Sequence, residues 1–273
     1  MKKQHGFFRM VLAAAVLCGA LLADSNLRIV TTEYTLRFPT LPREFDGLRI
    51  VQLSDVHGAV WGRDNAALVG KVREARPDLI ALTGDLADEG TRLSDVETLL
   101  EALCAIAPVY YVSGNHEWTA GLIEPLRAMF ERCGVCYLRN EYVLLEHGGA
   151  SLVLAGVEDP NGWAEQPRPD EVAARLPEGF RILLGHRNYW VQNYPSLPVD
   201  LILCGHAHGG VIRLPFVGGL LDHNGVLLPK YTDGIFHSGR YDMLVSRGLG
   251  NASGPPRFLN NPELVVAVLK RGS

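Results

Sequence analysis

Five short apolar runs, separated by helix-length segments, all end in the same way, and that regularity limits the folds open to this chain. Arg49-Ile-Val-Gln-Leu53 runs into Ser54-Asp55-Val-His57-Gly58, and Leu79-Ile-Ala-Leu-Thr83 into Gly84-Asp85. Val109-Tyr-Tyr-Val112 leads to Gly114-Asn115-His116-Glu117. Arg181-Ile-Leu-Leu184 leads to Gly185-His186, and Leu201-Ile-Leu-Cys204 to Gly205-His206-Ala-His208-Gly209. Runs of four or five such residues are too short for helices and suit strands buried on both faces. Between the first three lie Asn65 to Ala75 and Ser94 to Ala105, and Leu122 to Arg132 follows the third; all three have helical periodicity. Ser94 and Glu97 have the spacing of a capping box at the start of the second helix. Strands alternating with helices at this interval predict βαβ units and a sheet with a parallel part.

The remainder is richer in strands. Asn26 to Arg37 alternates and reads as a strand or hairpin arm, closed by Pro39 and Pro42. Tyr142 to Glu146 and Ser151 to Gly156 flank His147-Gly-Gly149 and predict a hairpin. Glu263 to Leu269 is a final apolar strand. No Pro/Gly/Ser linker interrupts the chain, so residues 26–273 are expected to form one domain. The fold class is α/β: two layers of mixed sheet with helices outside.

Residues 1–25 are different. Lys2, Lys3 and Arg9 precede the uncharged run Met10 to Ala23, the pattern of a signal segment or a short membrane anchor. Either leaves the basic end in the cytoplasm and the remainder of the chain extracytoplasmic, held at the cell membrane or secreted if the segment is cleaved. Cys18-Gly-Ala20 would serve as a cleavage site, whereas Leu17 before Cys18 argues against a lipoprotein anchor. A formal net charge of −4, with no long basic run, argues against nucleic acid as a partner. Of the five cysteines, Cys133 and Cys136 have metal or redox spacing, but no second pair answers them. They read as small residues where a helix turns into a strand.

The strand ends carry the chemistry. The carboxyl ends of strands in α/β sheets are where ligands bind, and here they bring Asp55, His57, Asp85, Asn115, His186, His206 and His208 to one rim, with His116 beside them. Each has a plain structural explanation alone: a turn at Gly84-Asp85, a helix cap at Asn115-His116, a buried histidine at His186. Together they do not, because so many polar groups converge only around a charge. Imidazoles mixed with carboxylates suit Mn, Fe or Zn. Seven donors are too many for one ion and fit two divalent ions sharing a carboxylate, the arrangement of two-metal hydrolases. His206 and His208 would then serve different ions. His5, His147, His223 and His237 lack this setting and are expected at the surface.

These blocks, in this order, resemble the calcineurin-like metallophosphoesterases. Leu53 to Gly58, His208 to Pro215 and Ser246 to Gly250 further resemble the bacterial membrane-anchored or exported phosphodiesterase-like branch. The resemblance implies a β-sandwich flanked by helices, with the site at the sandwich edge. It implies Asp55, His57 and His208 on one metal, Asn115, His186 and His206 on the other, and Asp85 bridging. His116 would face the substrate as the catalytic residue. Arg187 follows His186 where relatives often carry proline or an acid, and is a candidate phosphate contact or an exposed rim charge. The expected activity is hydrolysis of a phosphoester, in particular a phosphodiester, by in-line attack of a metal-bridging hydroxide. A membrane-proximal site suggests lipid-linked or cell-wall-linked substrates. The alternatives are a pyrophosphatase acting on lipid- or nucleotide-linked diphosphates, and a non-catalytic metal-dependent protein of the envelope.

Overall fold

The computed structural model describes residues 2–162, 166–222, 225–251 and 254–272. In chain order the elements are α1 (Lys2–Leu27), β1 (Val30–Phe38), β2 (Arg49–Leu53), α2 (Ala66–Ala75), β3 (Leu79–Thr83), α3 (Leu93–Cys104), β4 (Val109–Val112), α4 (Asn115–Thr119) and α5 (Ile123–Cys133). There follow β5 (Cys136–Tyr137), β6 (Tyr142–His147), β7 (Ala150–Gly156), α6 (Pro169–Ala173), β8 (Arg181–Leu184), α7 (Trp190–Asn193) and β9 (Leu201–Cys204). The last five are β10 (Ile212–Leu214), β11 (Gly218–Leu221), β12 (Gly234–His237), β13 (Asp242–Val245) and β14 (Glu263–Arg271).

Two six-stranded sheets, ordered β1-β14-β2-β3-β4-β5 and β12-β13-β9-β8-β7-β6, face one another, with β10-β11 as a separate ribbon. Both are mixed. β2, β3 and β4 run parallel, as do β7, β8 and β9, while β14 and β6 run against their neighbours β2 and β7. The alternation of side chains explains the layering. Ile50, Leu79 and Ala81 of the first sheet meet Leu152, Ile182 and Leu203 of the second in the central core. Val51, Ile80 and Leu82 point the other way, under Leu68, Leu99 and Leu126 of α2, α3 and α5. The outer face of the second sheet is covered more thinly, by Val172, Leu176 and Trp190 around α6 and α7. The structure thus has the expected class, a mixed two-layer sandwich flanked by helices.

Two local expectations do not hold. Ser94 is not a cap: α3 begins at Leu93 after Arg92, so Ser94 lies inside the helix. Glu97 instead accepts two hydrogen bonds from Arg132 of α5, at 3.0 and 2.6 Å, and this pairing between helices takes the carboxylate a cap would have used. Asn26 does not open a strand, because α1 continues to Leu27 and β1 starts only at Val30. The Asn26 side chain, at the end of α1, bonds the backbone carbonyl of Arg257, which fixes that last turn. Cys133 and Cys136 do sit where α5 turns into β5, with free thiols. His5, His147 and His237 are exposed, and His223 lies outside the described residues.

Candidate metal centre

At the carboxyl ends of β2, β3, β4, β8 and β9 the backbone leaves the sheets through unusual conformations. Asp55, His57, Asp85, His206 and His208 all have positive φ, between 49° and 70°. Non-glycine residues rarely adopt this region, and a cluster of them marks a site whose side chains are aimed at the expense of backbone comfort. The loops brace each other. Asp55 N–H donates to Gly84 carbonyl, His57 N–H to Asp85 carbonyl, and His206 N–H to the Asp55 carboxylate. Glycine is required at two of these crossings. A Cβ on Gly205 would overlap Ser54 Oγ and the Asp55 carboxylate, and one on Gly114 would overlap Asp85. Beneath the rim, Gln52 Nε2 donates to Thr83 Oγ1 and to the Cys204 carbonyl, tying the two sheets together under the loops.

Among the described residues, three groups of side chains bring donor atoms within 4.8 Å of one another. Asp55, His57, Asp85 and His208 form the first; Asp85, His186 and His206 the second; His57, Asp88 and His116 the third. Asp85 belongs to the first two, with Oδ2 at 3.7 Å from His57 Nε2 and 3.1 Å from His186 Nε2. Within the first group His57 Nε2 faces His208 Nε2 at 3.3 Å, and within the second His206 Nδ1 faces His186 Nε2 at 3.1 Å. Asn115, the first residue of α4, has a buried Oδ1 that meets no hydrogen-bond donor. Buried amide oxygens are normally satisfied. Imidazole nitrogens turned toward one another, buried carboxylates among them and an unsatisfied amide oxygen all fit divalent cations as the missing partners.

Electrostatics agree. Burial raises the Asp55 carboxyl, an environment that disfavours bare negative charge there. Burial also works against a cationic His186, yet the charges of Asp85 and Asp55 push it up to about 10. His116, half-buried on α4, is pushed below the ordinary histidine range by burial. Its ring stands edge-on to His57 at 4.7 Å between centroids.

Asp55, His57, Asp85, His116, His186, His206 and His208 stand together at this rim, and Asn115 precedes His116 at the start of α4, where the His116 N–H donates to Asp85 Oδ1. Arg187 is not an exposed rim charge. Its side chain is 12% exposed, Nε and Nη2 bind both oxygens of Asp159, and Nη1 lies 3.0 Å from His206 Nε2.

Several residues around the rim carried no earlier assignment. Asp88 holds His57 Nδ1 at 3.2 Å, and its position three residues after Asp85 is a clue the sequence offered. Glu117, fully buried, accepts hydrogen bonds from the backbone N–H groups of Asp85, Leu86, Ala87 and Gly114. Burial and the charge of Asp85 raise it to about 7 despite those donors. Arg257, 1% exposed, donates to the carbonyls of His208 and Gly250. Asn260 donates to the carbonyls of His208 and Val211. Arg257 and Asn260 stand in an irregular segment with no periodicity, where the sequence carried no signal.

A family model for calcineurin-like phosphoesterases matches residues 48–210. The metallophosphoesterase YkuE of Bacillus subtilis is 32% identical over 253 residues, covering 89% of this chain and 86% of that protein. A metallophosphoesterase of Aquifex aeolicus is 31% identical, covering 94% and 97%. The phosphodiesterase YaeI of Escherichia coli is 31% identical over 201 residues, 72% of each chain. Among solved structures, the sulfate thiohydrolase SoxB of Thermus thermophilus superposes with a TM-score of 0.51 at 16% identity, covering 84% of this chain and 57% of that one. At that identity the likeness speaks for the fold alone.

Proposed function

The chain belongs to the calcineurin-like phosphoesterase family and is a metal-dependent phosphoric ester hydrolase, and from that premise we propose that it is a phosphodiesterase working at the outer face of a membrane. The observation that carries the chemistry is the membership of Asp85 in two adjoining donor groups. The family uses a dinuclear centre, and here Asp55, His57 and His208 would hold one ion, Asn115, His186 and His206 the other, with Asp85 shared. Imidazole and carboxylate donors favour Mn, Fe or Zn. Once bound, two such cations supply Lewis acidity at the phosphoryl oxygens and a nucleophile at neutral pH.

The protein's own groups do the rest. Asp88 orients His57 through Nδ1, leaving Nε2 toward the centre. Glu117 fixes the Asp85 loop by its four backbone contacts. His116 would reach the phosphoryl or leaving oxygen with an imidazole N–H, helping charge leave as the ester bond breaks. Arg187, steadied by Asp159, would offer a guanidinium N–H to a non-bridging oxygen.

Support for a phosphodiester comes from the name of the Escherichia coli relative, a phosphodiesterase. Support for the membrane comes from α1, whose stretch His5–Leu27 is long and apolar enough to cross a bilayer and has none of its apolar window buried. Lys2, Lys3 and Arg9 at its start favour a cytoplasmic N-terminus. The test is a comparison of phosphomonoesters, phosphodiesters and pyrophosphates with the Mn-loaded full chain in detergent. Preferential cleavage of diesters is expected, and preferential cleavage of pyrophosphates would replace this reading.

A further inference from the structure

The ribbon that follows His208 braces that turn, Arg213 Nη1 donating to the Gly209 carbonyl at 2.8 Å, and it also presents apolar side chains to solvent. Phe216, at the turn between β10 and β11, is fully exposed, and Val217 beside it is 55% exposed. The next loop shows Val226, Leu227 and Leu228 at 51%, 70% and 60%. Single exposed apolar residues are ordinary; two neighbouring clusters of bulky ones in a monomer are not. Phe216 and Leu228 also sit at positive φ, 67° and 51°, a region costly for bulky residues. The backbone is strained where these side chains are displayed.

The foot of the ribbon is tied to the end of α1. Arg257 N–H donates to Asn26 Oδ1, and Asn26 Nδ2 donates back to the Arg257 carbonyl. The very next residue, Phe258, exchanges backbone hydrogen bonds with Val211 and Arg213 at the base of the ribbon. One two-residue segment thus holds both the end of the apolar helix and the foot of the ribbon. The 23 residues His5–Leu27 span about 34 Å as a helix, enough for a hydrocarbon core of about 30 Å. Asn26 then lies at the bilayer surface, and Phe216, four residues beyond Ile212, is within about 14 Å of the ribbon's foot.

Below the second cluster lies a cleft of about 310 Å³ whose lining includes His206, Tyr189, Tyr231, Lys230 and Val226. It therefore joins the metal rim to the apolar loop, with Lys230, Asp222 and two phenols between. We propose that Phe216, Val217 and the 226–228 loop seat on the bilayer beside α1. The cleft then takes the polar part of a membrane-borne phosphoester whose acyl chains remain in the lipid. This rests on the phosphoester-hydrolase assignment of the rim and adds where its substrate resides.

The experiment uses the full chain in phosphatidylcholine–phosphatidylglycerol vesicles, in two arms. In the first, Phe216→Trp is compared with the unsubstituted chain in vesicles carrying brominated lipid. Added fluorescence that the bromines quench is expected, and none from Leu144→Trp on β6, away from the ribbon. Equal behaviour at both positions overturns the docking. In the second, Mn-loaded protein is given bis(p-nitrophenyl) phosphate in solution or a p-nitrophenyl phosphodiester of diacylglycerol in the vesicle. Phe216→Asp with Leu227→Asp should cut the vesicle rate about tenfold or more, by removing apolar contact with lipid, and leave the soluble rate unchanged. Equal rates on both substrates contradict the proposal. If the unsubstituted chain hydrolyses neither ester, the hydrolase assignment fails while the quenching arm still decides the docking. If the double variant merely turns a detergent-solubilised dimer into a monomer, the patch is a contact between copies and the proposal falls.

Discussion

Glu117 Oε2 accepts a hydrogen bond from the backbone N–H of Asp85 at 3.1 Å, while Oε1 takes those of Leu86 and Ala87. The loop that carries the shared carboxylate is thus held by a second, fully buried one. Glu117→Gln puts an amide NH₂ where a carboxylate oxygen met N–H donors. The cost of such a mismatch in a buried site is about 1–3 kcal/mol. Thermal denaturation of the metal-free variant should show a lower Tm, and metal titration a weaker affinity. An unchanged Tm and affinity would mean the loop holds its shape without Glu117.

His116 separates catalysis from metal binding. It sits with His57 and Asp88 in donor range, so a role as ligand and a role toward substrate make different predictions. His116→Ala should retain both ions and lose about 10²–10⁴-fold in kcat, the range for a positioned acid or base. The loss should shrink for nitrophenyl esters, whose leaving group needs no proton. Loss of a metal would make His116 a ligand.

How far this centre was readable follows from where its residues stand. Asp55, Asp85, Asn115, His186 and His206 end apolar strands, and local order alone brings such ends to one rim. Asp88, Glu117 and Arg257 contribute through backbone groups or through another side chain, and nothing in their spacing shows that. Glu117 lay inside a recognised block without a role, because its four partners are amides of two different loops. The sandwich was legible from the same strands, whose two faces are both apolar. The extent of α1 was not, because Asn26 ends the helix through a bond to Arg257, 231 residues away.

Arg257 is such a remote support. It is buried against the carbonyls of His208 and Gly250, and burial lowers its guanidinium to about 10. Arg257→Met keeps much of the volume and removes the donors that fix the His208 loop. Metal affinity should fall about 10–100-fold, as for other groups that orient ligands, while kcat at saturating Mn²⁺ stays within a few-fold. A kcat loss that added metal does not restore would indicate a direct catalytic role.

Metal loading should release protons. In the metal-free protein the charges of Asp85 and Asp55, opposed by burial, hold His186 protonated up to about pH 10. A cation competes with that proton, so apparent affinity should rise as pH rises toward 10 and fall on acidification. Titration calorimetry at pH 7 in buffers of different ionisation heat should report net proton release. No dependence on buffer would show that His186 is already neutral or does not bind metal.

One chain should hold two ions through the single shared carboxylate of Asp85. Elemental analysis of the Mn-reconstituted full chain measures this directly. Two ions per chain are expected, with Asp85→Asn the most damaging single ligand change because it weakens both groups. A stoichiometry that never exceeds one ion under any loading, or an Asp85→Asn variant that still binds two tightly, would contradict the account.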